Sequence, residues 1–235
     1  MKIFKKAAIS FSVVILISTI FIPFMDARAY NFDFITVRDV VNKIKKKFNG
    51  ISSYQADFKI VSDKMGKKSY QSGVIKYKSS DRLLIEFHSP MGQKIVSNGD
   101  MMWIYIPSMN VVAEQNLGSD SGLFSSGTRS GLNRLFSKYH YRFASKDQPE
   151  KNKSGEKYYT LILKQKETRS GFRKIKLWVS EEYIITRAEG ETSTGKVIDI
   201  AFSKIQTGVD LPNGIFKFDM PARARLIKNP MISEE

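Results

Sequence analysis

From Tyr54 onward apolar and polar residues take turns: Tyr54, Ala56, Phe58 and Ile60 are separated by Gln55, Asp57 and Lys59. Gly73-Ile75-Tyr77 and Leu83-Ile85-Phe87 repeat this period of two, which puts one set of side chains on one face of a strand. Turn clusters fall at Lys64 to Lys67, Ser79 to Asp81 and Ser89 to Gly92. Short strands at such regular spacing predict an antiparallel meander. Ahead of it the period is helical. Val37, Val40, Val41, Ile44 and Phe48 share one stripe, Thr36 and Asp39 are spaced as a capping box, and Gly50 ends the run.

Asn98-Gly99 is a strong hairpin signal, because a type I′ turn needs positive φ at both central residues. The arm after it, Met101 to Ile106, is apolar on both strand faces, so something must cover its second face. A further strand is expected near Val111 to Glu114, and then the pattern breaks. Leu117 to Gly131 is rich in Gly and Ser, with Leu123 and Phe124 embedded, and a short helical stretch follows in which Leu132, Leu135 and Phe136 share a face. A break this long inside a β domain reads as a lid or a plug. Strands resume at Tyr139 to Phe143, Tyr158 to Lys164, Ile175 to Val179, Ile184 to Glu189 and Val197 to Ser203. Lys146 to Glu156 reads as a polar hairpin tip, Pro212-Asn213-Gly214 as a turn, and Phe216 to Phe218 as a last short strand. The expected fold is mainly β: one curved antiparallel sheet of roughly ten or eleven strands, with helices covering its concave apolar face.

The first residues change the compartment. Lys2, Lys5 and Lys6, the apolar stretch Ala7 to Phe24 and Ala27-Arg28-Ala29 have the layout of a cleaved secretory signal, residues 1–29, ahead of a domain at 30–235. The alternative is an uncleaved inner-membrane anchor. The chain has no cysteine, so disulfides and thiolate chemistry are excluded and the domain is held by its own core. Net charge is +15, of which +3 precedes Tyr30. In an exported chain this excess points away from nucleic acid and toward anionic lipid or acidic protein, with a merely solvated face as the plain alternative.

Motifs for catalysis fail their context tests. Gly190 to Lys196 matches most of a phosphate-binding loop, but Val197 replaces the magnesium-binding hydroxyl, and a strand pattern follows where a helix is required. A hairpin turn is the better reading. His88 and His140 lack metal-ligand spacing, and Gly118 to Gly122 lacks that of a nucleophile elbow. No acid, base and nucleophile come together, so neither an enzyme nor a cofactor is expected. What stands out is apolar excess: 16 Phe, 10 Tyr, 9 Met and 2 Trp. Methionine adapts to irregular apolar ligands, and Met101 and Met102 stand beside Trp103. The candidate apolar site comprises Phe58, Leu83, Ile85, Phe87, Ile95 and Trp103 from the sheet, joined by Leu132, Leu135 and Phe136 from the break.

These residues resemble the LolA family of periplasmic outer-membrane lipoprotein carriers. The likeness is carried by Gly73 to Lys78, Leu83 to Pro90, Ile95 to Asp100 with Trp103, Tyr105 and Pro107, and then by Leu177-Trp178-Val179, Phe216-Lys217-Phe218, Pro221 and Asn229-Pro230. It implies an incomplete β-barrel closed by helices, whose cavity shields the acyl chains of lipoproteins. Leu83, Ile85, Phe87, Ile95 and Trp103 would line that cavity. The implied partners are acylated lipoproteins, an inner-membrane lipoprotein-releasing ABC transporter and an outer-membrane acceptor, met by a periplasmic monomer. A free lipid- or glycolipid-binding protein, or a sensor of mislocalised lipoproteins, is the alternative on the same architecture. Where well-studied members have Arg-Pro, the Arg tying the lid shut, this chain has Ser79-Ser80, leaving Arg82 as the nearby substitute.

Overall fold

Thr36 opens the first helix as its spacing predicts. In the computed structural model the Thr36 hydroxyl accepts from the Asp39 amide, and the Asp39 carboxylate accepts from the Thr36 amide, before α1 (Val37–Asn49). Val40, Val41 and Ile44 form its buried stripe, and Gly50 caps its end. The structure describes residues 35–117, 129–167 and 171–228, all in the compact unit Ile35–Glu235. The signal-like segment 1–29 and most of the Gly/Ser-rich break, with Leu123 and Phe124, lie outside the described residues.

Six strands follow α1 in an unbroken antiparallel meander: β1 (Ser53–Lys64), β2 (Lys67–Lys78), β3 (Arg82–Ser89), β4 (Lys94–Asn98), β5 (Met101–Ile106) and β6 (Val111–Asn116). After α2 (Arg129–Lys138) come β7 (Tyr139–Phe143), β8 (Glu150–Lys151), β9 (Lys157–Gln165), β10 (Phe172–Ser180), β11 (Ile185–Thr192), β12 (Val197–Thr207) and β13 (Arg225–Lys228). The order across the sheet is β13-β6-β5-β4-β3-β2-β1-β12-β11-β10-β9-β7, with β8 beside β9. β12 returns to pair with β1, which welds the two halves into one sheet. The edge strands β13 and β7 do not pair with each other. The result is the expected mainly β, incomplete barrel.

Three local expectations change. Among the described residues the sheet has thirteen strands: the extra ones are β8, two residues long, and β13, which runs parallel to β6. Phe216-Lys217-Phe218 is not a strand; a 3-10 turn at Asn213–Phe216 leads into an extended segment. The Asn98-Gly99 hairpin forms, but not through a type I′ turn. Gly99 has φ +110°, whereas Asn98 is not among the positive-φ residues, and its side-chain oxygen instead accepts from the amides of Asp100 and Met101. Gly190 to Lys196 is the end of β11 and the hairpin turn into β12, closed by Thr192 N–H to Lys196 O.

Candidate functional site: the apolar face of the sheet

Cross-strand register decides which side chains share a face. Ile75, Ile85, Ile95, Ile104 and Ala113 stand opposite one another from β2 to β6. Ile60, Ile200, Ala188, Leu177, Leu161 and Phe143 do the same from β1 through β12 to β7. One face of the whole sheet is therefore apolar. The core on it divides into two clusters. The first gathers Ala56, Phe58, Ile75, Tyr77, Leu83, Phe87, Ile95, Met102 and Ile104, with Ile85 and Leu117 packed against them. The second holds Leu161, Leu163, Ile175, Leu177 and Val179 under α1 and α2.

Phe58, Leu83, Ile85, Phe87 and Ile95 thus come together in one cluster. At their centre a glycine makes room: Gly73 lies between Phe58 and Phe87 in register, and the two rings meet edge to face at 5.2 Å. Leu132, Leu135 and Phe136 belong to the second cluster, against α1 and β7–β10. They cover the other half of the same face. An aromatic bridge spans the halves, since Phe48 of α1 reaches Tyr54 and Tyr77, each at 5.7 Å. Burial first, and then the Asp81 carboxylate, hold the Tyr77 phenol above its ordinary pKa. Two polar groups on this face are satisfied locally, with Ser97 Oγ donating to Asp81 O and Gln115 Nε2 to Asn116 O, whereas the buried Tyr77 hydroxyl has no hydrogen-bond partner among the described residues.

Trp103 does not join them. Its register partners are Val96 and Glu114, one residue out of phase with Ile95 and Ile104, so it projects from the opposite face. There its indole N–H donates to Glu114 at 2.9 Å, and its ring stacks on Phe218 at 5.6 Å. The cover demanded by the doubly apolar arm is the segment from Val209 to Phe218. Leu211 and Phe216 bury against Leu84 and Val96, and Lys78 Nζ donates to Leu211 O at 2.6 Å. An open cleft of about 290 Å³ beside Trp103, lined by Asn98, Phe216, Lys217, Phe218 and Asp219, lies on this outer side.

The helical cover is anchored by groups that sequence reasoning missed. Asp81, held at φ +55° in the β2–β3 turn, accepts the backbone N–H of Arg129 at 3.1 Å, serving the first turn of α2 as a cap from 48 residues away. The Arg129 guanidinium donates to Asn49 O at the end of α1, at 2.7 Å. Arg82, the substitute reached from the sequence, is turned elsewhere: it donates to Asn213 Oδ1 and to Ser79 O. The lysines of α1 also have work in the fold, with Lys43 on the Tyr183 hydroxyl at 3.0 Å and Lys45 over the Phe136 ring. His88 and His140 are exposed, and among the described residues no cluster of His, Cys, Asp or Glu has the makings of a metal site. No helix among them is long and apolar enough to cross a membrane.

Comparison with known proteins fits this architecture. Residues 49–219 match the family model described as outer membrane lipoprotein carrier protein LolA. The chain belongs to the LolA family. The matched stretch runs from the end of α1 to the covering segment, so it takes in the first cluster and, apart from the α1 stripe, the second. An outer-membrane lipoprotein carrier protein of Legionella pneumophila is 29% identical over 190 residues, 79% of this chain and 88% of that one. The protein of the same name from Dechloromonas aromatica is also 29% identical, over 80% of this chain and 86% of its own. Among solved structures, an uncharacterized conserved protein from Thermus thermophilus aligns over 81% of this chain and 98% of its own. Its TM-score is 0.53 at 12% identity, which speaks for a shared fold.

Proposed function

We propose that this protein is a periplasmic carrier that shields the acyl chains of lipoproteins against the apolar face of its sheet and delivers them toward the outer membrane. The observation that carries the reading is that face itself: Phe58, Leu83, Ile85, Phe87 and Ile95 form one cluster on an open sheet, beside the half of the same face that α1 and α2 cover. At about 0.8 kcal/mol per methylene, two or three long acyl chains in water represent tens of kcal/mol, so they need an apolar host to cross an aqueous space. The host must also let go. A cover that packs on the face when it is empty competes with cargo and keeps net affinity moderate. α2, held through Asp81 and Arg129, is that cover in this reading. An inner-membrane releasing transporter would load the carrier and an outer-membrane acceptor would unload it.

Mass spectrometry of solvent extracts from protein purified out of its native envelope tests this. Intact acylated protein is the expected finding. Free lipid or glycolipid alone would replace the carrier reading with a lipid-binding one.

A further inference from the structure

Antiparallel neighbours place the β1–β2, β3–β4 and β5–β6 turns at one end of the sheet. Each of these three turns presents a methionine to solvent: Met65 is 89% exposed, Met91 87% and Met109 65%. The last two turns touch, since a Cβ on Gly92 would sit 3.4 Å from Cγ of Pro107. The stretch entering β13 joins them. Asn110 Nδ2 donates to Arg223 O and Arg225 N to Asn110 O, and β13 then starts beside Val111 at the same end. It adds the exposed side chains of Leu226 and Ile227, between Arg225 and Lys228. The β1–β2 hairpin runs on past the Ser72–Ser89 pair and carries Met65 among Lys64, Lys67 and Lys68.

We propose that this end of the sheet docks onto the surface of an anionic phospholipid bilayer. Charge is the first argument. Exposed cations stand beside two of the three methionines: Lys64, Lys67 and Lys68 flank Met65, and Arg223 and Arg225 lie against the turn that carries Met109. The carboxylates beside them, Asp63 and Glu114, accept only from the neutral Gly66 amide and Trp103 indole N–H and keep their charge, but the five cations outnumber them. Basic side chains beside apolar tips suit the headgroup boundary, where cations meet phosphate and the tips enter the acyl margin. The second argument is conformational. Met65 sits at φ +53°, a left-handed position that favours Gly or Asn, and its side chain gains no burial for that cost. The third is shape. The methionines are single points on separate turns. A fluid surface accepts such points, whereas a protein partner would require one packed patch. This surface lies at the rim of the sheet and stands whether or not acyl chains occupy the apolar face.

The test is flotation of the chain from Tyr30 onward, free of its own apolar leader, with vesicles of phosphatidylglycerol and phosphatidylethanolamine or of phosphatidylcholine alone. Binding to the anionic vesicles is expected to exceed binding to the neutral ones at least tenfold and to weaken with salt. Met65→Asn, chosen to suit the left-handed turn, and the pair Met91→Ser with Met109→Ser should each lower binding severalfold. Arg223→Ser with Arg225→Ser should do the same, with melting temperatures held or raised. Equal binding to both vesicle types, or variants that bind like the parent, would overturn the proposal. So would lipid-free self-association that the same substitutions abolish, because it would assign the surface to a second copy.

Discussion

Replacing Gly73 by alanine probes the packing that brings the candidate site together. A Cβ at Gly73 would stand 2.0 Å from the Glu86 carbonyl oxygen of the neighbouring strand and 2.9 Å from Cζ of Phe58. Ordinary non-bonded contacts need about 3.5 Å, so β2 and β3 would have to separate locally by roughly 1–1.5 Å. The obstacle is backbone in the middle of a ladder, which cannot swing aside as a side chain can. Overpacking of this kind costs about 1–3 kcal/mol, and parting the Phe58–Phe87 pair adds about 0.5–1.5 kcal/mol. The smaller entropy of an unfolded alanine chain returns about 0.4–1 kcal/mol. Together these terms span about 0.5–4 kcal/mol with a central expectation near 2 kcal/mol of destabilisation, a fall in melting temperature of roughly 4–8 °C for a domain of this size. Thermal unfolding followed by circular dichroism reads it, with binding of a fluorescent apolar probe as a second readout that should weaken. Gly66→Ala is the comparison, because that position has φ +81° and open space around it, so it should lose only about 1 kcal/mol. Adding Phe58→Leu to Gly73→Ala should not restore stability, since the carbonyl clash remains. A Gly73→Ala protein that melts within about 2 °C of the parent, or higher than Gly66→Ala, would refute the reasoning.

Ile85→Glu and Leu135→Glu, at positions only partly buried on the apolar face, should abolish co-purification of acylated cargo while the circular dichroism spectrum stays native. Trp103→Ala should do the reverse: lost stacking on Phe218 and an unpaired Glu114 lower stability by about 1–3 kcal/mol, with probe binding unchanged. Asp81→Ala removes the distant cap of α2 and should cost about 1 kcal/mol, seen as faster amide exchange across Arg129–Lys138 with the β1–β2 ladder unaffected. Alkali should unfold the domain early. Burial, reinforced by the Tyr183 hydroxyl, pushes the Tyr159 phenol up to about 12, and burial likewise raises Tyr139. The folded state then holds protons that the unfolded chain gives up near pH 10, so this stability is complete below about pH 10 and drains away toward pH 12. Urea midpoints measured across that window should fall, and Tyr159→Phe should flatten the slope.

Local periodicity determined much of this protein. Alternation in Tyr54–Ile60 and Leu83–Phe87 placed Phe58, Leu83, Ile85 and Phe87 on the face where they are found, because a half-buried strand cannot slip by one residue without turning its apolar side to water. The helical stripe and its capping box were legible for the same reason. Each is a pattern within a few neighbouring residues. Trp103 was not legible. Met101 to Ile106 is apolar at every position, so nothing in the strand orients it, and only pairing with β4 and β6 sets its phase. Phe216 and Phe218 alternate like a strand yet serve as anchors of a segment laid across the outer face, since Leu84 and Val96 had to be covered from the far end of the chain. The same separation hid the cap that Asp81 lends to α2 and the parallel addition of β13. Periodicity tells which residues want burial. Which surface buries them is a choice among distant partners, and that choice exists only once the chain has closed on itself.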